Sequence, residues 1–333
     1  MSKVVLGFSG GVDSAVSAEL LKKQGFQVYG LYMDNTDEAA RRSAVTAAEQ
    51  RCIELKVLDV KDKLEQRVCR PFTEAYLRGE TPNPCILCNP ALKFKSLIEY
   101  ADRIGAEFVA TGHYARAMDG GIFKGRPAND QSYMLCRLTR QQAERILFAL
   151  GEYEKVQVRA LAEELGLPAA HKPDSMEICF IPDKDYIGWL ARRAVMPPEG
   201  DFVFHGQVVG RHEGIHRYTV GQRRPGLMDG RKVYISRIDP VSNRIELALW
   251  EELFQTEVKA RDFNWLIEPP LSPIRASVRV RHTKWENPAC TATVIGDRVH
   301  IHCEEPVRAP AAGQSAVLYD GERLLGGGFI VSE

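Results

Sequence analysis

At 333 residues the chain is too long for one compact core, and two or three domains are expected. Hydrophobic residues make up 44% and charged residues 26%, an ordinary soluble composition with no apolar run of membrane-spanning length, so no membrane partner is expected. The formal net charge is zero, so charge alone announces no nucleic-acid partner, and Met1-Ser2-Lys3 leads into a strand rather than a signal sequence, which points to the cytoplasm.

The first elements are the most informative. An apolar run, Lys3 to Phe8, is followed by Gly7-Phe8-Ser9-Gly10-Gly11-Val12-Asp13-Ser14 and then by a helical pattern from Ser14 to Gln24 that closes at Gly25. Strand, glycine-rich turn and helix in that order aim backbone N–H groups and a helix N-terminus at one point, a ready anion site. Gly10 and Gly11 permit φ > 0 and close approach of a phosphate. Ser9 and Ser14 offer hydroxyls, and Asp13 can hold a metal ion or cap the helix. The alternative is a plain tight turn with an N-cap. No Lys follows the glycines, so this is not the Gly-Lys-Ser/Thr phosphate loop. It resembles the SGGxDS loop of ATP pyrophosphatases, enzymes that split ATP to AMP and pyrophosphate while adenylating a substrate.

Further along, the pattern predicts strands at 27–33, 54–60 and 107–111. Helices are predicted at 36–51 (with Thr36-Asp37-Glu38 as N-cap and acidic first turn), 61–78 and 89–104. Alternating strands and helices imply a doubly wound parallel sheet, an α/β class, with ligands beyond the carboxyl ends of the strands. Ser9, Met33 and Gly112 fall at such ends: the loop takes phosphate, Met33 packs on the adenine, and Gly112 lets backbone come close. Residues 113–126 read as a hairpin turning at Asp119-Gly120-Gly121, followed by helices at 140–150, 155–165 and 185–194. At Met196-Pro-Pro-Glu-Gly200 the texture changes to short β runs. These are predicted at 202–204, 207–209, 233–235, 244–249, 276–281, 292–295, 298–302, 315–319 and 328–331, and they suggest two small β-rich domains, the last a barrel. The expected division is 1–195, 196–258 and 259–333. Residues 192–237 carry nine Lys or Arg against four acids, a patch that fits either a phosphate backbone or a solvated face.

Eight cysteines without an export signal argue for thiol or metal chemistry rather than disulfides. Thr81-Pro-Asn-Pro-Cys85-Ile-Leu-Cys88-Asn89 holds a Cys-x-x-Cys, with Pro82 and Pro84 fixing an extended backbone. Cys88 would sit at the start of the helix from Asn89, where the dipole lowers a thiol pKa. Such a pair is half a metal site, a redox pair, or two incidental core residues. Cys179 is a third candidate thiol or a buried Cys beside Ile178 and Phe180. Cys52, Cys69, Cys136, Cys290 and Cys303 read as structural.

Seven stretches occur in one order: SGGVDS, TPNPCILCN (81–89), ATGHYAR (110–116), NDQSYML (129–135), KPDSMEICFI (172–181), HRYTVGQRR (216–224) and GQSAVLYDGERLLGGGFI (313–330). Together they resemble the bacterial tRNA-specific 2-thiouridylase (MnmA/TrmU) family over nearly the whole chain. The resemblance implies ATP- and Mg2+-dependent conversion of a tRNA wobble uridine to 2-thiouridine. A cysteine desulfurase or sulfur relay protein would be the donor, and tRNA, through its anticodon stem-loop, the partner. It assigns Gly7, Phe8, Ser9, Gly10, Gly11, Val12, Asp13 and Ser14 to the ATP phosphates, and Met33 and Gly112 to the nucleotide. Cys179 matches the persulfide acceptor and Cys88 its partner nucleophile, which releases the sulfur by forming a disulfide. Asn83, Pro84 and Cys85 match the segment facing the target base. His113, Asn129, Asp130, Gln131, Arg281, His282 and Gln314 match tRNA-contacting positions. From the residues alone these read as polar groups of turns and β surfaces.

The chain departs from the family where an aspartate is common and Cys85 stands instead. Three thiolates, Cys85, Cys88 and Cys179, suit a 4Fe-4S cluster with one open iron, and on the sequence this route is preferred over the persulfide. The stretch between Asn35 and Val60 is also short for the family, and Pro225 interrupts GQRRGL. The competing readings are an ATP pyrophosphatase acting on another tRNA base or amidating a small molecule, and a non-catalytic RNA-binding protein.

Overall fold

The computed structural model describes every residue except 36, 172–177, 229, 283–286 and 333. Thr36 and the first six residues of the 172–181 motif therefore lie outside the described residues. Among the described residues no helix is long and apolar enough to cross a membrane.

The N-terminal part is a five-stranded sheet of β1 (Lys3–Gly7), β2 (Gln27–Asp34), β3 (Glu54–Asp59), β4 (Phe108–Thr111) and β7 (Ile146–Phe148), in the order β3-β2-β1-β4-β7. All its pairings are parallel. Period-two alternation sorts its core. Val4, Leu6 and Phe8 face α1 (Val12–Lys23) and α2 (Glu38–Gln50), while Val5, Leu31 and Val109 face the helix 95–104 side. Strand order reverses between β1 and β4, so the ligand crevice of a doubly wound sheet falls there.

Several expectations need correction. Residues 140–150 do not form one helix. A single turn, Arg140–Ala143, gives way to β7, the fifth parallel strand. The stretch 61–77 is continuous helix (α3) with a π-turn at Glu65–Cys69. The next helix, α4, spans 84–104 and carries a second π-turn at Asn89–Phe94, so it begins five residues before the predicted start. Two later helices follow, α5 (Lys155–Glu164) and α6 (Tyr186–Ala191).

The hairpin of β5 (Ala115–Met118) and β6 (Gly121–Lys124) turns where predicted, but it joins the C-terminal sheet through Arg323 opposite Phe123. The middle sheet comprises β8 (Gly200–Phe204), β9 (Gln207–His212), β10 (Arg223–Met228), β11 (Arg231–Asp239) and β12 (Arg244–Ala248), with β10 unpredicted. The C-terminal strands are β13 (Phe254–Trp265), β14 (Ile274–Arg279), β15 (Ala289–Ile295), β16 (Arg298–Arg308), β17 (Ser315–Asp320) and β18 (Arg323–Ile330). They close into a six-stranded barrel because β13 pairs with both β16 and β18. The expected boundary between residues 258 and 259 falls inside β13.

Candidate active site

The glycine-rich loop leaves β1 and enters α1 at the reversal point. Phe8 and Val12 are buried and anchor it from below, with Phe8 N–H donating to Leu31 O at 2.9 Å. Gly11 is the N-cap of α1 and no side chain caps it, so the first turn keeps N–H groups for an anion. Ser14 Oγ donates to Gly11 O at 3.0 Å and lies 3.3 Å from Ser9 Oγ, which fixes the two hydroxyls side by side. Gly10 has φ +71°, and a Cβ there would meet Ala44 Cα of α2 at 2.8 Å. Gly112 does admit a close backbone, but the neighbour is α1: its Cβ would lie 3.0 Å from Asp13 Cβ and 3.3 Å from Ser14 N. Glycine therefore lets the end of β4 lie against the loop.

Asp13 is engaged from two sides. Lys155 Nζ reaches both of its carboxylate oxygens at 2.7 Å, and Tyr114 Oη donates to Oδ1 at 2.7 Å. Sequence reasoning missed both partners. Lys155 lies 142 residues away at the start of α5, and no local pattern marks it.

The thiols gather at the same end of the sheet. Cys179 stands in the loop before α6, and Asn35, just past β2, donates to its carbonyl at 3.3 Å. Met33, Leu58, Cys88 and Phe180 pack around one apolar cluster of Val60, Leu64, Val68, Cys69 and Leu92, so Met33 shares its packing with Cys88. Cys88 is not at a helix N-terminus. Asn83 caps α4, accepting from Cys85 N–H at 3.1 Å, and Pro84 occupies the first turn, where proline is at home. The exposed Cys85 is the first-turn thiol, and Cys88 lies deeper. Burial pushes the Cys88 thiol up to about 11, opposed by the Lys93 ammonium, and Cys85 and Cys179 raise it further. Cys179 is raised by burial and by Cys85. Cys69 is pushed up to about 12 by burial, and its charge partners include Cys179 and Cys88. The three predicted thiols thus lie within electrostatic reach of one another. Among the described residues, however, no three Cys, His, Asp or Glu side chains converge as a metal-binding set.

The positions matched to tRNA contacts spend their side chains internally. The His113 ring stacks on Phe94 and meets Phe148 edge-on. Its Nδ1 is 2.6 Å from Thr111 Oγ1 and its Nε2 3.5 Å from Lys93 Nζ. An ammonium only donates, so Nε2 accepts and Nδ1–H donates to Thr111. Burial, and then Lys93, hold its pKa well below the usual histidine range. Asn129 Oδ1 accepts from Lys155 N–H at 3.2 Å, and Gln131 Oε1 from Tyr114 N–H at 3.1 Å. The Asp130 carboxylate is buried and binds Gly125 N–H, Ser132 N–H, Ser132 Oγ and Arg279, so it is not offered to RNA. Arg281 donates to Val220 O and Ala309 O, joining the β domains. His282 Nε2 lies 3.3 Å from Asp130 O. Gln314 Nε2 donates to Thr81 O at 2.7 Å, gripping the loop that enters Asn83, Pro84 and Cys85.

Three family descriptions match the chain in order: "tRNA methyl transferase HUP domain" over 2–183, "tRNA methyl transferase PRC-barrel domain" over 191–248 and "Aminomethyltransferase beta-barrel domain" over 255–330. The chain is 43% identical over 345 residues to "tRNA-specific 2-thiouridylase MnmA" of Syntrophotalea carbinolica, covering 98% of each. It is 41% identical over 360 residues to the protein of the same name from Pelotomaculum thermopropionicum, covering 99% of this chain and 98% of the other.

Proposed function

The chain belongs to the tRNA-specific 2-thiouridylase family, and we propose that it adenylates the 2-oxygen of a tRNA wobble uridine with ATP and then replaces that oxygen with sulfur. The products are 2-thiouridine, AMP and pyrophosphate. The observation that carries this reading is that the anion loop and the thiols lie beyond the carboxyl ends of neighbouring strands of one sheet. The anion-binding loop follows β1, and the thiols Cys88 and Cys179 pack beyond β2 and β3. A urea-like carbonyl oxygen is a poor leaving group, and adenylation turns it into one. The uncapped turn of α1 suits the phosphates, and the Ser9 and Ser14 hydroxyls supply oxygen donors of the kind a hard cation such as Mg2+ prefers, whereas the Asp13 carboxylate would first have to leave Lys155.

In this reading a cysteine desulfurase or relay protein loads Cys179 as a persulfide. The Cys88 thiolate attacks Cys179 Sγ, the Cys179 S–S bond breaks, and hydrosulfide leaves to attack C2 of the uridine and expel AMP. The Cys88–Cys179 disulfide that remains is reset by a thiol reductant. The exposed Cys85 lies in the first turn of α4, one helical turn before Cys88. A cytoplasmic setting supplies both tRNA and reductant.

The test is mass spectrometry of nucleosides from tRNA treated with the protein, ATP and a sulfur donor. Wild type is expected to make 2-thiouridine, and Cys88→Ala and Cys179→Ala to make none. Product from both variants would remove the thiol assignment. Iron and acid-labile sulfide that track activity in anaerobic preparations would favour a cluster on Cys85, Cys88 and Cys179 over the persulfide. Pyrophosphate release that needs no RNA would favour an amidating synthetase, and no release at all a non-catalytic binder.

A further inference from the structure

The chain's turn at 129–131 joins two distant parts of the molecule. On one side it serves the phosphate loop. Asn129 Oδ1 accepts from the backbone N–H of Lys155 at 3.2 Å, and Gln131 exchanges bonds with Tyr114, N–H to O at 2.9 Å and Oε1 from N–H at 3.1 Å. Lys155 and Tyr114 are the two side chains on Asp13. On the other side the turn is held by the C-terminal barrel. Arg279 of β14 donates to Asp130 Oδ2 at 2.8 Å, with side-chain exposures of 13% and 4%. Arg279 is itself aimed by Asn287 Oδ1 at 3.2 Å and lies over the Tyr319 ring of β17. The Tyr319 hydroxyl is 3.1 Å from Ser132 Oγ, which also donates to Asp130.

A buried ion pair between two domains is an expensive place to spend charge, and breaking one side of it leaves the other uncompensated. Its carboxylate also takes two backbone N–H groups and a hydroxyl, so the turn has one conformation. The loop itself contains no lysine, and among the described residues the cation set against its acid is that of Lys155.

We propose that turn 129–131 is a brace between the barrel and the phosphate loop, which makes Arg279, Asp130 and Gln131 positioning residues for the adenylation step. The brace rests on the reading that Gly7–Ser14 binds ATP. It deepens that reading by making the loop's geometry depend on a docked barrel. Residues that match RNA contacts then act on the nucleotide instead.

The experiment uses the full chain and an ATP analogue with a methylene bridge between the α- and β-phosphates. Analogue affinity is measured by calorimetry, tRNA affinity by filter binding, and the KM for ATP in the thiolation assay. Arg279→Met and Gln131→Met are expected to weaken analogue binding roughly five- to tenfold, the low end of ordinary coupling between sites, and to raise KM in step. The affinity for tRNA should stay within about twofold, well below that coupling. Arg279→Lys, which keeps the charge, is expected to recover part of the loss. Unchanged analogue affinity in both Met variants, or a fall in tRNA affinity alone, would overturn the brace. Should Arg279→Met fail to fold, Gln131→Met decides, because it leaves the ion pair intact. A wild type that does not bind the analogue would bring down the ATP reading and the brace together, whereas a wild type that binds beside variants that bind equally well removes only the brace.

Discussion

Gly10 shows how much of the phosphate loop is set by one missing side chain. Its φ of +71° is left-handed, and the backbone of α2 stands where a Cβ would go, 2.8 Å away at Ala44 Cα. Gly25 also has positive φ, +89°, but nothing lies within 4 Å of its Cβ position. The two substitutions to Ala should therefore differ in kind. Gly25→Ala carries only the penalty of a Cβ in left-handed backbone, about 1–2 kcal/mol, with ATP binding intact. Gly10→Ala adds a backbone clash, so the loop or α2 must shift, at a cost of about 1–3 kcal/mol, and ATP affinity should be lost. Urea midpoints and calorimetric ATP titration separate the two outcomes. Equal ATP affinity in both variants would mean that α2 yields without disturbing the loop. The glycines, serines and Asp13 were legible because loop, strand and helix are contiguous. Tyr114 and Lys155 were not, because their approach to Asp13 is made by the fold over 101 and 142 residues.

At the scale of elements, the errors share a cause: competition between local pattern and long-range pairing. Residues 140–150 have a helical composition, yet Ile146–Phe148 gains parallel pairing with Val109, Ala110 and Thr111 on a buried sheet edge. Phe254–Trp265 was missed because Glu257, Lys259, Arg261 and Asp262 interrupt its apolar positions. Its buried Val258 and Ala260 nevertheless alternate as a half-buried strand should. The early start of α4 is a different matter. Pro82-Asn83-Pro84 was read as extended, but an Asn N-cap followed by Pro is an ordinary helix opening. The cap sets the register that exposes Cys85 and sinks Cys88. Asn83→Ala should then cost about 1 kcal/mol and fray the first turn. Thiolation is expected to fall while ATP-analogue binding stays as in wild type. A matched loss of both would mean that the cap supports the whole domain rather than the thiols.

At the scale of the molecule, the first and last thirds of the chain share one core. Val5, Leu31, Phe94, Leu97 and Val109 of the parallel sheet and its helices belong to the same apolar cluster as Val317, Tyr319 and Leu324 of the barrel. Ile86, between the two thiols of α4, is in it too. The barrel loop 309–314 presses on the approach to α4. Gly313, at φ +85°, lies so close that a Cβ would meet Glu80 Cβ at 2.8 Å, and Thr81 N–H donates to Ala312 O at 2.8 Å. The middle sheet differs, since Phe202, Val233, Ile235, Ile245 and Leu247 form a core of their own. Apolar surface shared between two sheets cannot be kept from water once either leaves, so the outer two should unfold as one cooperative unit and the middle sheet as another. Scanning calorimetry is expected to resolve two transitions. Arg279→Met should lower the one that carries both the parallel sheet and the barrel, by several degrees if it costs the about 3–5 kcal/mol of a broken buried pair. Residues 1–195 expressed alone should expose the Ile86, Tyr133 and Leu135 face and bind a hydrophobic dye, because the barrel strands that cover it are missing. A soluble 1–195 fragment with a sharp transition of its own would show that the barrel is an appendage, and that the phosphate loop is complete without it.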